Sequence, residues 1–153
     1  MNPALLRQAI EQAAENVSRG GPFASLVVKD GAVIAAGSNR VTLTNDPTAH
    51  AEIVAIREAC RVLGSFQLTG CDVYCSCEPC PMCLGALFWA RPARIFFAAT
   101  AADAAAAGFD DSSIYRQLAL PGAGRAIPTI HVADPSARRP FEAWAAQPDK
   151  VRY

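Results

Sequence analysis

Apolar residues recur at helical spacing from the start of the chain. Leu5, Leu6, Ala9, Ile10, Ala13 and Val17 predict an amphipathic helix from Pro3 to about Arg19, with Pro3 suited to its first position. Gly20-Gly21-Pro22 ends it. The period then changes. Ala24–Lys29 and Ala32–Ser38 are apolar, partly β-branched runs joined by Asp30-Gly31, a two-residue hairpin signal. Asp46-Pro47 reads as an N-cap and first position of a second helix, with Ile53, Ile56, Cys60 and Leu63 on one face and Gly64 as its stop. Cys71–Cys75 reads as a buried strand. Pro79 and Pro81 open a helix that runs through Leu84, Leu87 and Phe88 to about Ala90. Arg94–Ala99 reads as a fourth strand and Ile127–Val132 as a fifth, and Ser112–Leu118 and Arg139–Ala146 read as short helices. The alanine-rich stretch Ala98–Ala107 reads as a loop or frayed helix. Strands alternating with helices after an initial hairpin predict an α/β fold: three layers, α/β/α, around a mixed five-stranded sheet.

The length of 153 residues fits one domain, 1–153, and no linker or internal repeat interrupts it. Fourteen Lys and Arg balance fourteen Asp and Glu. A nucleic-acid binder carries a basic excess or stripe, so the balance argues against a large polyanionic substrate. No apolar run of about 18 residues exists, so no transmembrane helix and no membrane partner is expected. Met1-Asn2-Pro3-Ala4-Leu5-Leu6-Arg7 enters a charged helical pattern at once, unlike a secretory signal. Six cysteines in such a chain read as reduced thiols or ligands, and the expected compartment is the cytoplasm.

The chemistry concentrates in two places: His50-Ala51-Glu52, and Pro79-Cys80-Pro81-Met82-Cys83. One imidazole and two thiolates are three ligands of the kind zinc prefers, and a catalytic zinc keeps three protein ligands and one open position. Cys80 and Cys83 lie three apart at a predicted helix start, where the helix dipole favours thiolate. His50 lies in the first turns of another helix, and two helix starts meeting over the sheet would unite the three. Glu52 is then free to take a proton from water, protonate a ring nitrogen and protonate a leaving amine. Other readings compete. A lone C-x-x-C also serves as a redox pair or half of a structural zinc site. Cys75 and Cys77 would complete a closed four-cysteine cluster, which leaves His50 and Glu52 unexplained, or they are small buried residues. Cys60, Cys71 and His131 read as structural.

H-x-E followed by P-C-x-x-C is the signature of zinc-dependent nucleobase deaminases, and the chain resembles the cytidine deaminase-like superfamily over nearly its whole length. Within it the resemblance is to bacterial guanine deaminases. It rests on Gly20-Gly21-Pro22-Phe23, Asn45-Asp46-Pro47-Thr48-Ala49-His50-Ala51-Glu52, Cys77-Glu78-Pro79-Cys80-Pro81-Met82-Cys83, Ala107-Gly108-Phe109-Asp110-Asp111-Ser112 and the terminal Tyr153. Bacterial tRNA adenosine deaminases share the histidine and cysteine stretches, so the Gly-Phe-Asp-Asp-Ser segment and the aromatic end make the difference. The resemblance implies a cytidine deaminase-like fold and one zinc per subunit on His50, Cys80 and Cys83. It implies Glu52 and Asp111 as catalytic groups, and Phe23, Asn39, Asp111 and Tyr153 as contacts to a small purine base. It further implies conversion of guanine to xanthine and ammonia in purine catabolism, and a homodimer in which segment 138–153 crosses to the partner. Each assignment has a plainer counterpart: Phe23 as a core residue, Asp110-Asp111-Ser112 as a helix N-cap, and Phe141 and Trp144 as anchors within one subunit. Other activities stay open. These are tRNA adenosine deamination, deamination of cytosine compounds or aminated triazines, and a zinc-stabilised interaction protein without catalysis.

Overall fold

In the computed structural model, which describes residues 1–152, Asp30 and Gly31 take φ of 51° and 82° and turn β1 (Ala24–Lys29) back on β2 (Ala32–Ser38). Positive φ at both central residues is what a tight hairpin turn requires, and it matches the twist of the strands. β1 also pairs antiparallel with β3 (Cys71–Cys77), and β3 pairs in parallel with β4 (Arg94–Ala99). The sheet order is β2-β1-β3-β4.

Alternation along the central strands sends side chains to opposite faces. Leu26, Val28 and Tyr74 pack with Ala9, Leu5 and Leu6 of α1 (Pro3–Glu15). Val27, Val73 and Cys75 face the other way, onto Ala55 and Ala59 of α3 (Ala51–Leu63) and Leu87 and Ala90 of α4 (Pro81–Ala90). Three layers result, and α2 (Val41–Thr44) is a single turn leading into the α3 approach.

Three expectations change. The described sheet has four strands, not five, because Ile127–Val132 joins no ladder. Pro128 has no N–H to give, and Ile127, Ile130 and Val132 are exposed, so the segment has neither pairing nor burial to hold it as a strand. His131 therefore lies in an irregular exposed stretch rather than inside an apolar strand. Second, α3 begins at Ala51 rather than at Pro47. The Asp46 carboxylate accepts from the Thr48 N–H at 2.8 Å, an Asx turn that competes with helix. Third, the alanine-rich stretch contains a true helix, α5 (Ala101–Ala106). Thr100 and Asp103 form a reciprocal capping box at its start, with the Thr100 N–H donating to the Asp103 carboxylate at 2.8 Å.

The described residues divide into two compact units, 1–111 and from Ser112 onward. The second holds α6 (Ser112–Ala119) and α7 (Arg139–Ala146). Gln117 accepts from the Ala126 N–H at 2.6 Å, and the Lys150 ammonium donates to the Ala145 and Gln147 carbonyls at the end of α7. No described helix is long and apolar enough to cross a membrane.

One contact sets how closely α3 rides on the sheet. A Cβ at Gly37 of β2 would collide with the Ala51 carbonyl and lie 2.6 Å from the Ala55 nitrogen. Both obstacles are backbone and cannot swing aside. Gly37→Ala is therefore expected to cost about 1–3 kcal/mol, roughly 2–12 °C in Tm for a chain of this size. Gly85→Ala is the control, since nothing lies within 4 Å of a Cβ there and its place inside α4 favours alanine. Thermal unfolding followed by circular dichroism compares the two. A Gly37→Ala protein as stable as Gly85→Ala would show that the approach of α3 is not fixed by this contact.

Candidate active site

Two helix starts converge here. His50 is the N-cap residue of α3 and Cys80 that of α4, and neither side chain caps its own helix. Both are left to face a common point. Cys83 follows in the first turn of α4, fully buried, and Glu52 lies in the first turn of α3, 8% exposed. The His50 Nδ1 atom is 3.6 Å from the Cys80 sulfur and 3.5 Å from the Cys83 sulfur. A tetrahedral zinc with Zn–S of about 2.3 Å and Zn–N of about 2.0 Å has N···S edges of roughly 3.5 Å. The donor set and its spacing thus fit zinc. His50, Cys80 and Cys83 form the one cluster of three metal-ligating side chains among the described residues.

The close packing of these donors couples their titration. The Cys80 thiol is pushed down to about 4, first by its hydrogen bond with Cys83 and then by His50. Cys83 is raised in turn, by the same bond to Cys80 and by burial. The imidazole of His50 is raised mainly by its contact with Cys80. Burial is the main cause that raises the Glu52 carboxyl, whose Oε2 accepts from the Cys83 thiol at 3.4 Å. Asp111 is also raised, by burial first and then by the negative charge of Cys80, and its own charge acts on His50. The carboxylate thus lies within electrostatic reach of two ligands.

Cys75 and Cys77 take no part. Cys75 lies in the core against Ser25 and burial pushes its thiol up to about 12. The Cys77 thiol points to the Thr100 carbonyl at 3.7 Å, and burial raises it as well. The four-cysteine alternative is therefore excluded. Cys71 is buried in the core as expected, and Cys60 packs against it half-buried.

Phe23 is half-buried and meets Phe109 edge to face, with ring centroids 5.0 Å apart. Phe109 was not singled out from the sequence, although it sits in the Gly-Phe-Asp-Asp-Ser segment. Asn39 is 8% exposed, and its Oδ1 accepts from the Val41 N–H at 3.2 Å. The backbone carbonyl of Asn39 accepts from the side chain of Asn16, another residue that sequence reasoning passed over. Tyr153 lies outside the described residues.

A sheet flanked by helices with a His-Cys-Cys centre at two helix starts defines a class. The chain belongs to the cytidine and deoxycytidylate deaminase zinc-binding family, whose profile matches residues 2–99. It is similar to the guanine deaminase of Bacillus subtilis (strain 168), with 53% identity over 150 residues, 97% of this chain and 96% of that relative. The crystal structure of guanine deaminase from B. subtilis superposes with a TM-score of 0.98 at 52% identity, covering 100% of this chain and 99% of the other. A tRNA-specific adenosine deaminase of Aquifex aeolicus is 41% identical over 95 residues, 61% of this chain and 63% of its own length.

Zinc content tests the ligand set. His50→Ala and Cys80→Ala are each expected to lose bound metal, because two remaining ligands leave an incomplete site. Cys75→Ser is expected to keep about one zinc per chain. Elemental analysis of protein purified without added metal reads both, and a full complement of zinc in Cys80→Ala would remove that residue from the site.

Proposed function

We propose that this protein hydrolyses guanine to xanthine and ammonia, in the breakdown of purines. The observation that carries the reading is the likeness to guanine deaminase along 97% of the chain, against 61% for the tRNA-specific enzyme of A. aeolicus. Asp111 lies beyond the part of the chain matched by the family profile. The balanced charge also favours a small base over a nucleic acid.

His50, Cys80 and Cys83 would hold the zinc, which would supply a Lewis acid to activate the attacking water. The remaining work falls to side chains. Glu52 is buried, and burial raises its carboxyl, so it takes up a proton more readily than an exposed carboxylate. It takes one proton from the water that attacks C2 of guanine and gives it to the neighbouring ring nitrogen. It then moves the proton of the new hydroxyl to the departing amine, which leaves as ammonia. Asn39, with Oδ1 held by Val41, offers its amide N–H groups to the oxo edge of the purine. Asp111 accepts from ring or amine N–H groups, and Phe23 covers the ring with Phe109 supporting it edge-on.

The terminal segment, 138–153, is read as the lid of a partner's site in a homodimer, with Tyr153 completing it. Phe141 and Trp144 on α7 are 74% and 44% exposed, as anchors for another surface would be. Exchange of such a segment is a low-cost route to dimers. Free thiols at all six cysteines suit a reducing compartment, the cytoplasm.

Ammonia release from a panel of guanine, adenine, cytosine, an aminotriazine and tRNA tests the activity. Guanine is expected to be turned over best, and preference for tRNA would replace the reading. Glu52→Gln is expected to keep zinc and lose about 10²–10⁴-fold in kcat, since an amide of the same shape carries no proton. Asp111→Asn should keep zinc and lose roughly 10- to 100-fold in kcat/KM, the worth of a hydrogen bond to a charged group. Unchanged rates in either variant would remove that residue from the proposed chemistry.

The exchange has its own test. A chain cut before Arg138 with intact ligands is expected to be inactive yet zinc-bound, and coexpression with full-length Glu52→Gln is expected to restore activity. In that heterodimer the mutant lends its tail to the intact site. Heterodimers confirmed by mass but without activity would mean that each tail closes its own site.

A further inference from the structure

Phe23 and Asn39 sit on separate segments, and a third residue holds those segments together. Phe23 follows the Gly20-Gly21-Pro22 loop, and Asn39 follows β2. The Asn39 N–H donates to the Phe23 carbonyl at 3.0 Å. Beside that pairing lies Asn16, the C-cap of α1, 9% exposed. Its side-chain Nδ2 donates twice at 2.9 Å, to the Gly21 carbonyl and to the Asn39 carbonyl. Its own carbonyl accepts from the Arg19 and Gly20 N–H groups at 2.8 and 3.1 Å. The fit leaves no slack. A Cβ at Gly20 would collide with the Asn39 carbonyl, and Gly21 takes φ of 117°, where an L side chain is strained.

We infer that Asn16 is a positioning residue for base recognition: its two amide hydrogens fix the distance between the segment bearing Phe23 and the segment bearing Asn39. The inference rests on the reading of Phe23 and Asn39 as purine contacts. The chemistry explains the residue type. Both partners are carbonyl oxygens, so one atom must supply two donors, which a primary amide does. A carboxylate in the same shape would set a negative charge against two carbonyl dipoles, and an apolar residue would take the donor from the buried Asn39 carbonyl. Asn16 belongs to no metal cluster, so its loss should loosen the grip on the base and leave the zinc chemistry in place.

The test compares full-length Asn16→Asp, Asn16→Ser, Asn39→Ala and Ala9→Gly with the parent for zinc content, Tm and the kinetics of guanine deamination. Asn16→Asp is expected to keep one zinc per chain and to raise KM for guanine roughly 10- to 100-fold, the worth of two hydrogen bonds, with kcat within about threefold. Asn16→Ser, which keeps one donor, should fall between, and it carries the test alone if Asn16→Asp does not fold. Ala9→Gly, in a fully buried position of α1, should lower Tm and leave KM where it is. An Asn16 variant that loses stability like Ala9→Gly with KM unchanged, or whose loss is confined to kcat, overturns the positioning role. Unchanged KM in Asn39→Ala overturns the assignment of Asn39 to the purine, and the inference with it. A raised KM in Asn39→Ala with a normal one in Asn16→Asp overturns the tie alone.

Discussion

The molecule depends on bringing two helix N-termini to one point above the sheet. His50 is the N-cap residue of α3 and Cys80 that of α4, so an error in the height of either helix would pull the three ligand atoms apart. The height of α3 is set by backbone meeting backbone. Gly37 lets the Ala51–Ala55 turn lie against β2, and Ala55 and Ala59 continue the contact with side chains no longer than a methyl. α4 is anchored by the fully buried Leu87 and by Ala90 in the same core. Close packing transmits the position of the core to the site, because well-packed interiors do not deform smoothly.

Convergent helix starts also solve an electrostatic problem. The centre gathers the Cys80 sulfur, a buried glutamate and Asp111 in one place, and burial first, then the negative charge of Cys80, raises both carboxylates. Two positive helix ends offset part of that charge. A cation with three protein ligands offsets the rest, which is why this donor set belongs to a metal rather than to a redox pair. The residual tension is useful. Glu52, held in a dry place beside Cys83, is a carboxylate that accepts a proton easily.

The chain divides its labour along its length. Residues 2–99 carry the family's zinc-binding region, and the tRNA-specific relative matches a stretch of 95 residues. The likeness to the guanine deaminase of B. subtilis extends to nearly the whole chain. The zinc-binding region is thus shared with the family, and under the proposed function the contacts to the base come from residues within that region and after it. Phe109 and Asp111 come from the later part, Phe23 and Asn39 from the loop and strand end that precede α3. Asn16 ties the segments of Phe23 and Asn39 through hydrogen bonds that involve none of the metal ligands.

Much of this was legible in the residues alone. Asp30-Gly31 dictated the hairpin because few other pairs tolerate positive φ twice, and the His-x-Glu and Cys-x-x-Cys spacings named the metal because zinc needs those donors. Helices α1, α3 and α4 followed from apolar spacing and their proline or glycine ends. What failed were readings that depend on a neighbour. Ile127–Val132 has the composition of a strand, but a strand exists only where another strand accepts its hydrogen bonds, and Pro128 withholds one donor. Asp46 has the look of a helix cap, yet its carboxylate closed a turn on Thr48 instead, and α3 started at Ala51. Cys75 and Cys77 were indistinguishable from ligands by spacing; only the direction of each side chain, inward to Ser25 and across to Thr100, separated them from Cys80 and Cys83. Asn16 carried no signal at all, because its role is to bond two carbonyls that lie 5 and 23 residues away. Sequence fixes which chemistry is available and where the chain turns; tertiary structure decides which groups meet, since distance in space is set by packing between segments that spacing does not encode.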